Sequence, residues 1–510
     1  MKIGVVVGLA IGALAAPVDF EQNPFEIDTF QSFGDNQWSQ SFDNLPEIDS
    51  DKLQNLINSS ALKVRAQELY DIALTSVKEY GNPTRVIGSD GHWNTIGYIT
   101  RELRKLGNYY KVSTQAFNAT DGKVNSYSLL IDGKEPKLVL PLALTPSTPD
   151  LKPVHGNLVL VNTTGCTLEN FPAGTKGNIA LVKRGGCSFQ DISINAGKAG
   201  ALGVVIYNEG PLHGTLSSPT GEEIASLSVD QKHVQKYIDK LIEDPSTEFE
   251  TTLFIDSYVK QIVTLNVVAE TRDGDHNNVV SLGAHSDSVN AGPGLNDDGS
   301  GTISLLEVAK QLTNFKVKNA VRFAWWSAEE EGLIGSTCYA ESLSPEENQK
   351  VRVFMDYDMM ASPNYVYSVY DANNEDHPNG SGNLRDLYID FYTSHGLNYT
   401  LEPFDGRSDY VGFLDANIPC GGIATGAEGV KDDKLQEQFG GESGKWFDPC
   451  YHQLCDDLSN LNYDAWIVNT KLIAHSVATY AKSFDGFPER EPIKQSSKSD
   501  FIYKGSNLIR

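Results

Sequence analysis

The sequence predicts an α/β architecture, a central, mostly parallel mixed sheet flanked by helices, with a β-rich domain inserted into it. Residues 279–284, 320–326 and 351–357 are nearly continuous apolar runs of strand length, the pattern of strands buried on both faces. Residues 302–312 carry apolar side chains at helical spacing between the first two runs. From about Thr145 the character changes to short β-branched runs separated by glycines, at 157–161, 178–182 and 202–207. The α/β pattern resumes after Val263, so the insert splits the larger domain.

Along the chain, Met1 to Ala16 combines a positive start, an apolar stretch and small residues at 13–15, which predicts a signal peptide over 1–15. Residues 16–45 lack clear periodicity and read as a propeptide or extended arm. Helical spacing begins at Asp51 and recurs from Thr95 to Leu106, stopping at Gly107. The expected organisation is a first α/β part at 46–144, the insert at 145–255, a second α/β part at 256–487 and an extended tail at 488–510. No later apolar stretch reaches the roughly 20 residues of a membrane-crossing helix, and no lipid-anchor signal closes the chain. With 67 acidic against 41 basic side chains, attraction to nucleic acid or an anionic membrane is disfavoured. Asn-X-Ser/Thr triplets at Asn58, Asn118, Asn162, Asn379 and Asn398 fit passage through the secretory pathway.

The chemistry concentrates in Gly283-Ala-His-Ser-Asp-Ser-Val-Asn-Ala-Gly-Pro-Gly-Leu-Asn-Asp-Asp-Gly-Ser-Gly301 and Trp325-Trp-Ser-Ala-Glu-Glu-Glu-Gly332. His285 and Asp287 leave the end of the first strand on one side, so one can bind metal while the other orients it. Asp297 and Asp298 follow a run of turn residues and cap the next helix. Glu329, Glu330 and Glu331 follow the second strand, and Asp358 follows the third. Open α/β sheets bind ligands at the carboxyl ends of their strands. Carboxylates gathered there repel unless a divalent cation joins them, and a mixture of imidazole and carboxylate suits zinc, or else cobalt or manganese. His452 adds a distant candidate ligand, inside the hexapeptide from Cys450 to Cys455 that a disulfide can pin. The isolated His92, His213 and His475 read as core or solvated residues, and the pairs Asp432-Asp433 and Asp456-Asp457 as solvated surface.

These motifs make the chain resemble the zinc-dependent aminopeptidases of peptidase family M28, in particular the fungal secreted leucine aminopeptidases and their vacuolar counterparts, over roughly residues 53–488. The resemblance implies the zinc-peptidase fold and two zinc ions. His285 and Asp358 are then terminal ligands, Glu330 and His452 complete the two sets, Asp297 bridges them, and Glu329 is the general base. Asp287 stands behind His285, as partners of metal-bound histidines generally do. Tyr451 matches the residue whose hydroxyl helps to hold the oxyanion, and the Asp297-Asp298 peptide matches one that is cis in the family. The family pattern is two glutamates, a variable residue and Gly-Leu, whereas three glutamates precede Gly332 here. Counting back from Gly332 puts Glu331 in the variable slot. The segment 406–413 resembles the substrate-pocket loop, so Arg407, Asp409 and Tyr410 are expected to shape that pocket.

A Cys450–Cys455 bridge is implied by the relatives, and Cys166 with Cys187 is expected to staple the middle of the chain. Cys338 and Cys420 are left to form a third bridge or to stay free. Residues 183–189 and 198–203 resemble the protease-associated domain, which implies a lid or specificity wall gating the cleft. The implied activity is removal of N-terminal residues, leucine and other apolar ones preferred, from peptides with a free amino end. A single-zinc glutaminyl-cyclase-like transferase and a receptor lacking metal ligands are the competing readings on this fold; the insert and the complete ligand set argue against the first, and the complete ligand set against the second. The expected protein is monomeric and secreted, with the vacuole lumen as the alternative.

Overall fold

The structure, a computed structural model, describes residues 42–161, 163–209, 214–216 and 219–490. The expected signal peptide, all but the end of the expected propeptide or arm, Asn162, His213 and all but the start of the expected tail lie outside the described residues.

Among the described residues, thirteen strands form one hydrogen-bonded system. They are β1 (Tyr110–Ile131), β2 (Val139–Pro141), β3 (Val154–Val161), β4 (Ile179–Lys183), β5 (Gly203–Asn208), β6 (Ser226–Asp230), β7 (Glu250–Thr271), β8 (Asp275–His285), β9 (Asn319–Trp326), β10 (Val351–Tyr357), β11 (Ser368–Tyr370), β12 (Thr400–Glu402) and β13 (Cys420–Ala424). The order is β12-β11-β13-β10-β8-β9-β7-β3-β4-β5-β6-β2, with β1 paired to β7. The centre is parallel: β8 pairs with β9 on one side and β10 on the other, and β10 with β13. Every residue of β9 and β10 is buried, which is why their sequences run apolar without alternation. The helix Gly299–Leu312, buried along nearly its whole length, crosses from β8 to β9, and Tyr463–Lys482 packs against it. The fold class and the insert expected from the sequence are both present.

The two 22-residue strands β1 and β7 join the parts. They pair antiparallel from Tyr110↔Thr271 to Ile131↔Thr251, so β1 carries the chain out of the main sheet and β7 brings it back. At one end β7 pairs with β9 through residues 267–270, and at the other with β3 through 250–253. Leu129 and Ile131 are buried among Leu158, Leu181, Val205 and Leu227 of the insert. The insert's core therefore begins within β1, ahead of the boundary expected at residue 145. Sequence alternation alone hides this, because one uninterrupted strand serves two cores.

Disulfides join Cys166 to Cys187 and Cys450 to Cys455, whereas Cys338 and Cys420 are free thiols. Cys338 packs beside Ile87, Phe117 and Ala328, and Cys420 in a separate cluster with Trp326, Phe354 and Phe413. The 21-residue Cys166–Cys187 separation is long enough for loop closure to contribute about 3 kcal/mol. The double variant Cys166→Ser/Cys187→Ser is expected to lose about that much in denaturant unfolding of the insert. Of the glycosylation triplets, Asn58, Asn118 and Asn398 are exposed and Asn379 is half-buried. Among the described residues, no helix is long and apolar enough to cross a membrane.

Candidate metal centre

The connection after β8 leads to β9 on one side and the next leads to β10 on the other, which opens a crevice at the carboxyl ends of these strands. Register pairs His285 with Trp326 and Gly283 with Asp356, so His285, the loop after Trp326 and Asp358 emerge at the same edge. Asp298 caps the helix Gly299–Leu312 by accepting from the Gly301 amide at 2.8 Å. A Cβ at Gly301 would stand 2.0 Å from the Tyr357 carbonyl, so only glycine lets this helix start against β10. The Asp297-Asp298 peptide is cis, as the family resemblance implies.

After β9 the chain turns through Ala328 and Leu333, both at positive φ, and Asp287 sits beneath the turn. Its two carboxylate oxygens accept from the Glu329 and Glu330 amides, each at 3.3 Å, and its Oδ1 lies 3.7 Å from His285 Nδ1. One fully buried carboxylate thus orients both the imidazole and the glutamate turn. Those contacts hold it below the usual carboxylate range against the opposing effect of burial.

Asp297 stands between two constellations. Its Oδ1 lies 3.1 Å from His285 Nε2, which is also 3.7 Å from Asp358 Oδ1 and 4.0 Å from Glu329 Oε2. Its Oδ2 lies 3.0 Å from His452 Nε2, which is 3.2 Å from Glu330 Oε2. His452 adopts a left-handed φ of 58° in the loop closed by Cys450 and Cys455, and its ring stacks on Tyr451 at 3.8 Å. Among the described residues Glu331 makes no ion pair with either histidine. Ligand-type atoms of His285, Asp297 and Glu330 lie within 4.8 Å of one another, as do those of His285, Asp298 and Asp358. Asp298 is nevertheless committed elsewhere: it accepts from the amides of Gly301, Met359 and His285 at 2.8, 3.1 and 3.1 Å.

The electrostatics are those of crowded buried acids. Burial pushes Glu329 well above the usual carboxylate range and Asp358 up to about 6. Burial opposes protonation of both histidines, but neighbouring carboxylates outweigh it, lifting His285 well above its ordinary value and His452 to about 10. Asp297 is held low by its two histidines in spite of burial. Neither Glu330 oxygen nor Asp358 Oδ1 has a hydrogen-bond donor aligned on it. Buried carboxylates without donors are costly, and lone pairs converging from imidazole and carboxylate suit a divalent cation of the zinc type. The donor set fits zinc.

Around this centre lie the expected pocket-loop residues Arg407, Asp409 and Tyr410, together with Ser408, which the sequence did not mark. Ser408 donates to Asp358 Oδ2 at 3.0 Å. Arg407 donates to Glu428 at 3.0 Å and to the Tyr451 hydroxyl at 3.1 Å, so it meets the site through Tyr451. Tyr410 is buried; its hydroxyl accepts from the amides of Gly406 and Arg407 at 2.8 and 3.3 Å, and so braces the loop. Asp409 is also buried, which raises it to about 7. Asp456, expected at the surface, is only 1 % exposed and accepts from the amides of Asn296 and Asp297 at 2.9 and 3.1 Å. Its acidic neighbour gave a surface-like pattern, while the buried amides that need an acceptor lie 160 residues away in sequence for Asn296. His92 is buried against Ser286 and Ser327, in the core rather than the solvated position, the two alternatives expected of it.

Residues 266–477 match the model of peptidase family M28, and residues 154–237 match that of the PA domain. Aminopeptidase Y of Saccharomyces cerevisiae is 52% identical over 483 residues, covering 91% of this chain and 87% of the yeast protein. The chain belongs to peptidase family M28. Leucine aminopeptidase 2 of Arthroderma otae, 40% identical, covers 91% of this M28 chain and 92% of its own. Among solved structures, the aminopeptidase from Aneurinibacillus sp. strain AM-1 superposes with a TM-score of 0.70 at 24% identity, covering 88% of this chain and 99% of that one. A zinc aminopeptidase from Bacillus subtilis superposes with a TM-score of 0.60 at 22% identity, covering 86% and 98%. The solved structures establish the M28 fold, and the PA match falls on the strands of the insert.

Proposed function

We propose that this M28 peptidase is a two-zinc aminopeptidase that removes N-terminal residues, leucine and other apolar ones preferred, from peptides and proteins. The observation that carries this is Asp297, whose two oxygens face two different histidines, each with its own further carboxylate. His285, Asp358 and Asp297 Oδ1 would hold one zinc, and His452, Glu330 and Asp297 Oδ2 the other. The names of the yeast and fungal relatives point the same way. Export through the segment 1–15 into a secreted or vacuolar space, as a monomer, belongs to the same reading.

When bound, the zinc ions supply an activated water and polarise the scissile carbonyl. Glu329, buried beside the two ligand sets, takes the proton of the attacking water and hands it to the leaving amine. Tyr451, whose oxygen already accepts from Arg407, turns its O–H toward the carbonyl oxygen as negative charge develops there. The substrate's cationic amino end meets the carboxylates of Glu329 and Asp358, which sets the count from the N-terminus.

The test is hydrolysis of leucine p-nitroanilide beside its N-acetylated form. Only the free amine is expected to be cut, chelation to abolish the cleavage, and added zinc to restore it. Equal cleavage of both forms, or none by the zinc-loaded protein, overturns the proposal.

A further inference from the structure

We infer that Arg85 is a positioning residue for the metal centre: with Thr84 and Asn82 it clasps the loop 286–294 from behind, so that Asp297 is presented between the two ligand sets. This rests on the two-zinc reading above. Arg85 is fully buried. Its Nε donates to the Pro293 carbonyl at 2.9 Å, its Nη2 to Gly294 at 2.6 Å and its Nη1 to Ser286, while its amide donates to Ser288 Oγ at 2.9 Å. Thr84 Oγ1 donates to the Val289 carbonyl at 2.8 Å, and Asn82 Nδ2 to that of Asn290 at 2.9 Å. The carbonyls of residues 286, 289, 290, 293 and 294 are thereby all held by one short segment.

The need for a clasp follows from where the ligands sit. His285 ends β8 and is fixed by its ladder, but Asp297 closes a loop without regular structure before the helix Gly299–Leu312. Buried carbonyls in such a loop need donors. A guanidinium meets several at once in a planar fork that an ammonium cannot reproduce. The turn at Gly294 (φ +61°) is tight, since a Cβ there would stand 2.2 Å from the Asp297 carbonyl and 3.0 Å from Arg85 Nη2. Every hydrogen bond of this guanidinium runs to a carbonyl, so its charge is not spent on a direct carboxylate partner. The segment lies far upstream of residues 266–477, the part matched to the M28 model.

The experiment measures zinc per chain across a series of zinc buffers, together with kcat and KM on leucine p-nitroanilide, for wild type, Arg85→Lys, Arg85→Met, Thr84→Val and His452→Ala. Both Arg85 variants are expected to bind zinc about 10–100-fold more weakly, the range for residues that support ligands, with kcat recovered at high zinc and KM unchanged. Thr84→Val, missing one donor, should shift zinc affinity in the same direction by less, and it carries the test together with Arg85→Lys if Arg85→Met does not fold. Wild-type zinc affinity in Arg85→Lys and Thr84→Val, with only a lower thermal midpoint of the metal-free protein, overturns the inference and leaves Arg85 a packing residue. Unchanged zinc content in His452→Ala instead counts against the two-zinc reading, and the Arg85 effect is then still read on whatever zinc wild type binds.

Discussion

Glu329→Gln is expected to lower kcat by about 10²–10⁴-fold, the usual contribution of a positioned proton-transfer group, while zinc content stays at the wild-type level. Glu329 Oε2 is 4.0 Å from His285 Nε2, outside the shorter contacts that Asp297 makes with both histidines. Glutamine keeps the shape and the burial of the side chain but cannot accept a proton. Glu330→Gln is expected to differ in kind, because Glu330 Oε2 lies 3.2 Å from His452 Nε2 and its loss should release zinc. Metal analysis and steady-state kinetics of the three variants Glu329→Gln, Glu330→Gln and Glu331→Gln decide the register of the triple glutamate. A zinc-replete, inactive Glu330→Gln beside a zinc-depleted Glu329→Gln would exchange the two roles.

Asp297→Ala should be at least as damaging, and through the metal. A single carboxylate whose oxygens lie 3.1 Å and 3.0 Å from two histidines supports both ligand sets, so its removal weakens both. Activity is expected to fall by more than the roughly 100-fold that loss of a supporting residue can cost. Zinc per chain should fall below the wild-type value, and added zinc should restore little. Asp298→Asn provides the contrast. Asp298 accepts from three amides through both oxygens, so asparagine leaves one buried amide without its acceptor, and the change is expected to cost about 1–3 kcal/mol of stability with zinc content preserved. If Asp298→Asn empties the centre while Asp297→Ala leaves it filled, the bridging assignment fails.

Much of this cluster is legible in the chain because several of its side chains follow the ends of hydrophobic strands. The apolar runs ending before His285, Glu329 and Asp358 are those of β8, β9 and β10, and parallel register brings their ends to one edge. Turn-rich composition likewise marks the loop that carries Asp297 and Asp298. Asp456, Ser408 and Arg85 show why the remainder is hidden. Each acts by hydrogen bonding to a group remote in sequence, and nothing in its own neighbourhood distinguishes a buried partner of the site from an ordinary polar residue. The start of the insert is hidden for a related reason, since β1 runs as one strand from the neighbourhood of Phe117 and Ala119 into the insert's core at Leu129 and Ile131.

The α/β class, the presence of an insert and the family were all readable from the chain. Those properties follow from periodicity and from motifs contained in short segments. Only in three dimensions does it emerge which oxygen of Asp297 faces which histidine, that Glu330 rather than Glu331 meets His452, that Cys338 and Cys420 stay apart, and that Arg85 grips the loop ahead of Asp297. These are relations between groups far apart in sequence, set by strand register and by the need of buried carbonyls and amides to find partners wherever the fold supplies them.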